Sequence, residues 1–164
     1  MSGVEEFVRR NRERSGGIDL GALPVVPRLA TSIVTCMDAR LDLYDLFGLR
    51  PGEAHAIRNA GGVITDDVIR SLSISQRRLG TTEILLAQHS GCGMTTMGDD
   101  EFKDELEESS GLRPTWSVES FTDVEASVRQ GLTRLRRSPF LLESVVLRGF
   151  VVDLSAGAIL REVT

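Results

Sequence analysis

Two short segments carry the residue types that bind transition metals. One is Cys36-Met37-Asp38-Ala39-Arg40, and the other is His89-Ser90-Gly91-Cys92-Gly93. The chain has only two cysteines and two histidines, so the supply of soft ligands in these segments ends at three. Three thiolate and imidazole ligands leave the fourth position of a zinc ion open, which is the pattern of catalytic zinc sites. The sequence therefore predicts that Cys36, His89 and Cys92 hold one zinc ion per chain.

Asp38 and Arg40 place a charged pair directly after the first cysteine. An ionised Asp38 that reached the fourth zinc position would act as a conditional fourth ligand and close the site. Paired with Arg40, it would be held away and would accept a hydrogen bond from zinc-bound water or hydroxide. Zinc lowers the pKa of bound water to about 7, so this arrangement predicts a nucleophile at neutral pH, with Asp38 and Arg40 as catalytic residues. The alternative is a surface ion pair, which would contribute little.

Each of the two metal-binding segments follows an apolar run, and these runs must place the two segments close together. The runs Leu29–Cys36 and Glu83–His89 predict the first and third strands. Strands alternate with helices as far as Val152, which predicts an α/β fold with a mostly parallel sheet flanked by helices. In the order 2-1-3-4, with an antiparallel edge strand 5, strand order reverses between strands 1 and 3. Binding crevices lie outside the carboxyl ends of strands at such a point, so the two segments should meet there.

Capping residues and hydrophobic periodicity predict the remaining elements of a single domain, 1–164. The predicted helices are Val4–Arg14, Asp42–Phe47, one capped by Thr65 and ending at Leu79, Asp99–Ser109, and one from a Thr122–Glu125 capping box to Arg137. The other predicted strands are Ala54–Arg58, Ser144–Val152 and Ala158–Val163. Residues 1–28 form an N-terminal helix and arm, and 29–164 form the α/β core. The first helix has a narrow apolar stripe, so it should pack on something distant in sequence, for which a partner subunit is one candidate.

Composition excludes several classes of function. A net charge of -5 disfavours nucleic acid as a partner. No apolar segment approaches the roughly 20 residues that a membrane helix needs. The charged N-terminus lacks the apolar core of a signal peptide, so the expected location is the cytoplasm. In that compartment a disulfide between Cys36 and Cys92 is the less expected use of the two thiols.

At these residues the chain resembles the β-class carbonic anhydrases, and its length resembles the compact branch of that family. The matching segments are Cys36–Arg40, Ile57–Gly62 and His89–Met94, and the similarity in order and spacing runs from about Leu29 to Asp153. The resemblance implies reversible hydration of CO2 to bicarbonate and a proton. It also implies that Cys36, His89 and Cys92 are zinc ligands and that Asp38 and Arg40 form the catalytic dyad.

The resemblance further implies a homodimer, with the N-terminal helix reaching over the partner, and leaves open whether dimers pair further. The residues from Arg58 to Gly62 would then line the cleft or support Asp38, with Gly61 and Gly62 in the substrate pocket. The alternative is that they form a structural turn between a strand and a helix. The other histidine, His55, lies inside the second strand and is expected to be a packed or partner-facing residue.

Three other interpretations of the sequence compete with CO2 hydration. Related zinc hydrolases act on carbonyl sulfide or carbon disulfide, which are linear and electrophilic at carbon like CO2. A non-catalytic zinc or redox-sensing module is the second class, but it would gain little from an open metal position beside an oriented carboxylate. A metal-free, disulfide-linked domain is also conceivable, and stoichiometric zinc under reducing conditions would exclude it.

Overall fold

Short runs rich in β-branched residues form the strands of one five-stranded sheet. A computed structural model describes residues 2–14, 16–156 and 158–163. The strands are β1 Thr31–Cys36, β2 Ala54–Asn59, β3 Glu83–His89, β4 Val146–Asp153 and β5 Ile159–Val163. The helices are α1 Gly3–Glu13, α2 Leu43–Phe47, α3 Asp66–Leu79, α4 Asp99–Ser110 and α5 Val124–Arg137. None of the helices in these described ranges is long and apolar enough to cross a bilayer.

The strand order is β2-β1-β3-β4-β5, which confirms the predicted topology. The first four strands run parallel to one another, and β5 pairs antiparallel with β4. In the ladder between β1 and β3, Thr35 pairs with Ala87. Strand order reverses between these two strands, so the carboxyl ends that carry Cys36 and His89 open into the same crevice.

The main hydrophobic core joins α3 and α5 to the central strands. Its fully buried members include Val34, Leu72 and Leu86. Two glycines allow α5 to approach the sheet closely, because an ideal Cβ at Gly149 would lie 2.6 Å from Val128 Cγ1, and one at Gly131 would lie 2.7 Å from Leu86 Cδ2. A second, smaller core lies at the carboxyl ends of the strands and includes Cys36 and Cys92.

Several predicted boundaries differ from the structure by one or two residues, among them the start of β4, which is Val146 rather than Ser144. Two of these differences have clear local reasons. Strand β1 begins at Thr31 rather than Leu29, because Ala30 has φ of 48° and its N–H bonds to the carbonyl of Pro27. Helix α5 is capped by Asp123 rather than by a box that begins at Thr122. The Asp123 carboxylate accepts hydrogen bonds from two free N–H groups of the first turn, which an N-cap side chain must satisfy.

Gly62, in the connection between β2 and α3, occupies a position where any larger residue should destabilise the fold. Gly62 has φ of +63°, and an ideal Cβ there would lie 2.8 Å from Cys36 N and from Thr35 C. Strain in the left-handed region and a clash with backbone should together lower the free energy of unfolding of Gly62→Ala by about 3 kcal/mol. Chemical denaturation monitored by circular dichroism measures this loss.

Gly48→Ala is the matched control for the Gly62 prediction. Gly48 has φ of +60°, but nothing lies within 4 Å of its ideal Cβ, so this variant carries the conformational strain without the clash. Equal losses of stability in the two variants would show that the contact between Gly62 and the β1 backbone is not tight.

Candidate metal centre

The ends of β1 and β3 bring three metal-binding side chains together. The sulfur atoms of Cys36 and Cys92 are 3.9 Å apart, and all three donor atoms, including that of His89, lie within 4.8 Å of one another. Bonds of about 2.0 to 2.3 Å to a tetrahedral zinc ion place its ligands about 3.3 to 3.8 Å apart, so the spacing fits one such ion. Among the described residues, this is the only group of three or more Cys, His, Asp or Glu side chains with such spacing.

The hydrogen bonding of His89 leaves one ring nitrogen ready for a metal. His89 is fully buried, and its Nδ1 lies 3.0 Å from the carbonyl oxygen of Ser90. A carbonyl only accepts, so Nδ1 carries the proton and Nε2 presents a lone pair. Nε2 has no hydrogen-bond partner among the described residues, although a buried polar atom without a partner is costly. Zinc among these three donors satisfies that atom.

The two thiols differ in how readily they ionise. Burial opposes ionisation of Cys36, but the His89 imidazole and the backbone of Asp38 and Gly61 outweigh it and lower the pKa of this thiol to about 7. Burial, with the neighbouring Cys36, raises the pKa of Cys92 to about 11. The neighbouring Cys36 sulfur in turn raises the pKa of His89, because it favours a protonated imidazole more than burial opposes one. A divalent cation removes this conflict, because it takes both sulfurs as thiolates and the imidazole as a neutral ligand.

Asp38 and Arg40 form a two-pronged ion pair beside these donors. Arg40 donates from Nε to Asp38 Oδ1 at 2.9 Å and from an Nη2 hydrogen to Oδ2 at 2.6 Å. The Arg40 backbone N–H also bonds Oδ1. These bonds hold the pKa of the Asp38 carboxyl well below its usual range. Oδ2 lies 3.7 Å from His89 Nε2, so the carboxylate borders the donor set while both its oxygens are bonded by Arg40.

The loop after β3 also binds the guanidinium of Arg40. Arg40 Nη2 donates to the carbonyl of Gly91 at 3.0 Å, and Gly91 has φ of +62° with open space around its Cβ position. This bond ties the residues that follow β1 to the loop that carries Cys92. The ion pair is therefore part of the connection between the two metal-binding segments.

Apolar side chains surround the donor set. The buried cluster that contains both cysteines also includes Leu41, Met94 and Val152, and Phe121 packs against it. Gly61 and Gly62 are buried here, and an ideal Cβ at Gly61 would lie 3.0 Å from Met94 Cγ and 3.1 Å from Phe121 Cε1. Such surroundings suit a small apolar molecule and limit access of bulk water. Whether the two glycines contact substrate stays a prediction.

The structure shows the hydrogen bonds of two supporting residues, Ser90, which the sequence did not single out, and Arg58, which lies in the segment named by the resemblance. Ser90 Oγ accepts a hydrogen bond from the N–H of Leu154, and Ser90 N donates to the carbonyl of Val152. Arg58 donates to the carbonyls of Cys36 and Asp38. The only sequence signal for Ser90 was its position next to His89. For Arg58, the resemblance in the Ile57–Gly62 segment had offered support of Asp38 as one of two roles.

His55 lies far from the donor set along its strand. It is the second residue of β2, whereas the metal-binding segments follow the carboxyl ends of their strands. Its Nδ1 is 2.7 Å from Ser75 Oγ, which also bonds Ser32 and Thr81. Of the two expected roles, packed or partner-facing, these contacts support the first, since the half-buried His55 ring bonds within its own chain.

A parallel α/β sheet with a cysteine-histidine-cysteine donor set at its switch point defines a zinc-binding protein of the open, three-ligand type. Comparison with known proteins narrows that class. The family model described as carbonic anhydrase matches residues 31–159. The chain belongs to the carbonic anhydrase family, and its similarity to β-class members places it in that class.

Individual relatives cover the whole chain. Beta-carbonic anhydrase 1 of Mycobacterium tuberculosis is 50% identical over 164 residues, which is 100% of this chain and 99% of the relative. The crystal structure of a carbonic anhydrase from Streptococcus mutans superposes with a TM-score of 0.86 at 36% identity, covering 100% of this chain and 99% of that one. A carbon disulfide hydrolase of Acidithiobacillus thiooxidans is 32% identical over 146 residues, 76% of this chain and 73% of that protein.

Proposed function

We propose that this protein hydrates CO2 reversibly to bicarbonate and a proton, with one zinc ion held by Cys36, His89 and Cys92. The observation that carries the proposal is the convergence of these three donors beside an ionised Asp38 that Arg40 holds in place. Similarity to a named β-carbonic anhydrase over the full chain supports it. In the balanced reaction, CO2 and water give bicarbonate and one proton.

When bound, zinc supplies the acidity that brings the pKa of a coordinated water to about 7. The chain's own residues supply geometry. An ionised carboxylate only accepts hydrogen bonds, so Asp38 Oδ2, beside the donor set, fixes the proton of the reacting water and turns its lone pair away from the carboxylate. Arg40 occupies both Asp38 oxygens and thereby keeps the carboxylate from becoming a metal ligand. The apolar side chains of Leu41 and Met94 complete a surrounding that suits CO2.

The activity is tested by assaying one preparation against three substrates. Stopped-flow measurement of proton release follows CO2 hydration, sulfide release follows hydrolysis of carbonyl sulfide and carbon disulfide, and metal analysis gives zinc per chain. We expect one zinc per chain and CO2 as the preferred substrate. Release of sulfide without CO2 hydration would instead support the hydrolase alternative, which the 32% identical carbon disulfide hydrolase brings into consideration.

The cellular location and oligomeric state follow as parts of the same proposal. Cys36 and Cys92 are free thiols in the structure, and zinc ligation by thiolates suits a reducing compartment such as the cytoplasm. Helix α1 begins with a capping box formed by Ser2 and Glu5, but none of its residues is buried. Its apolar side chains Val4 and Phe7 are 71% and 67% exposed. A second copy of this chain is the proposed partner that covers them, with pairing of dimers left to measurement.

Truncation of Phe7 tests the homodimer. Phe7→Ser removes the largest apolar side chain of α1, so the dimer dissociation constant should rise at least about tenfold. Arg9→Ser is the matched control, because Arg9 lies on the opposite face of the helix from Phe7 and pairs with Glu6 and Glu13. Sedimentation equilibrium measures both constants. Equal dissociation constants for the two variants, or a monomeric parent protein at micromolar concentration, would contradict this arrangement.

A further inference from the structure

Arg58 bonds to the segment that carries the first metal ligand, Cys36, and the catalytic carboxylate, Asp38, although it is neither a ligand nor part of the Asp38–Arg40 pair. It lies in β2, beside β1, and its guanidinium donates from Nε to the carbonyl of Cys36 at 2.9 Å. From Nη2 it donates to the carbonyl of Asp38 at 2.7 Å. Among the described residues Arg58 forms no ion pair. Its role is therefore to donate hydrogen bonds to backbone, and not to neutralise a carboxylate.

The segment that Arg58 holds has few other backbone contacts. After Cys36 the ladder between β1 and β2 ends with the bond from Met37 N to Asn59 O at 2.9 Å. The carbonyl of Asp38 accepts one further bond, from Leu41 N at 3.0 Å. A rigid guanidinium fork that spans two carbonyls fixes their separation and orientation, which a single ammonium group cannot do.

Arg58 and Arg40 bind different parts of Asp38. Arg58 fixes the backbone of Asp38 from β2, while Arg40 fixes its side chain and is itself anchored on the carbonyl of Gly91. If the backbone of Asp38 moved, its carboxylate would move too, and the hydrogen bonds from Arg40 would shift or break. The position of Asp38 Oδ2 beside His89 thus depends on both arginines.

We propose that Arg58 is a positioning residue, which fixes the backbone of Cys36 through Asp38 so that the carboxylate is placed for the reacting water. The proposal rests on CO2 hydration as the function of this site. Loss of such a supporting bond typically reduces activity about 10- to 100-fold. The reduction should fall on kcat, with KM changed less than about twofold, because Arg58 acts through Asp38 and not through substrate binding.

The test compares Arg58→Ala and Arg58→Lys with the control Arg70→Ala. Arg70 is exposed and, within the described residues, bonds only Asp67 one turn away, so its loss should leave kcat unchanged. We expect Arg58→Ala to keep one zinc per chain, to lose kcat about 10- to 100-fold, and to regain part of it with added methylguanidine. The kcat of Arg58→Lys should lie between that of Arg58→Ala and that of the parent. If Arg58→Ala does not fold, the lysine variant carries the same measurements.

A second measurement needs no activity. The Nε–H of Arg40 bonds Asp38 Oδ1, so its exchange with solvent, followed by NMR, reports how firmly the ion pair is held. Exchange should be faster in Arg58→Ala than in the parent and in Arg70→Ala. An unchanged kcat per zinc-loaded chain together with unchanged exchange would overturn the proposal. If the zinc-loaded parent hydrates no CO2, the proposed function fails, and the exchange rates still decide whether Arg58 positions Asp38.

Discussion

Replacing Cys92 with Ser is expected to remove bound zinc and CO2 hydration together. A serine hydroxyl does not ionise near neutral pH, so the variant would offer one thiolate and one imidazole where zinc needs a third anionic or neutral donor. Cys92 is only 3% exposed, and no other cysteine or histidine within the described residues lies close enough to replace it. The loss of zinc affinity should exceed the roughly 10- to 100-fold that removal of an outer hydrogen-bond partner costs.

Metal analysis and competition with a chromophoric chelator measure this loss, and stopped-flow assay measures activity in the same samples. Thr96→Ala is the matched control, because it changes a neighbouring side chain whose hydroxyl donates to the carbonyl of Gly93, its one bond in the part of the chain that the structure describes. We expect the control to keep one zinc per chain and full activity. Stoichiometric zinc with near-parental affinity in Cys92→Ser would show that the three donors do not form the metal site.

The strands that hold the site were predictable because their patterns are strong and their ends are marked. Strand β3 has the predicted bounds, Glu83–His89, since its apolar centre is flanked by Gly80 and by the turn at Gly91. The start of β1 was not predictable from apolar content. Leu29 continues the apolar run, but the left-handed conformation of Ala30 and the bond from Leu29 N to Glu53 O separate it from the strand.

The donor residues were predictable from their chemistry, whereas the supporting bonds were not. Cysteine and histidine are scarce in this chain, so their placement after two apolar runs identified the metal-binding segments. The bonds from Arg58 to two carbonyls and from Arg40 to Gly91 involve backbone acceptors, which every residue possesses. Residue types therefore carry no signal for such bonds, and only the folded geometry shows them.

The wrongly predicted N-cap of α5 also shows what residue types leave undecided. Thr122 and Asp123 are both good N-cap residues, and Glu125 favoured the first by its spacing. The structure selects Asp123, whose carboxylate satisfies the N–H groups of Glu125 and Ala126. Adjacent residues of similar capping tendency leave a boundary that is uncertain by one position until the preceding loop is placed.

Removal of Asp38 is expected to abolish most of the activity while zinc remains bound. Asp38 is not one of the three donors, so Asp38→Ala should retain one zinc per chain. The parent carboxyl has a pKa well below its usual range, mainly because Arg40 bonds it, and is therefore an ionised acceptor at any working pH. Loss of a group that handles the proton of the reacting water typically lowers kcat about 10²- to 10⁴-fold.

Asp38→Asn separates the charge of this side chain from its shape. The amide keeps the size of the carboxylate but turns one acceptor into a donor and weakens the pairing with Arg40, so activity should fall nearly as far as in the alanine variant. Asp67→Ala is a suitable control, because it removes a carboxylate that pairs with Arg70 on the surface. Zinc-loaded Asp38→Ala with parental kcat would leave the ion pair with a structural role only. Equal activity in Asp38→Asn and the parent would show that shape, and not charge, is what the reaction needs.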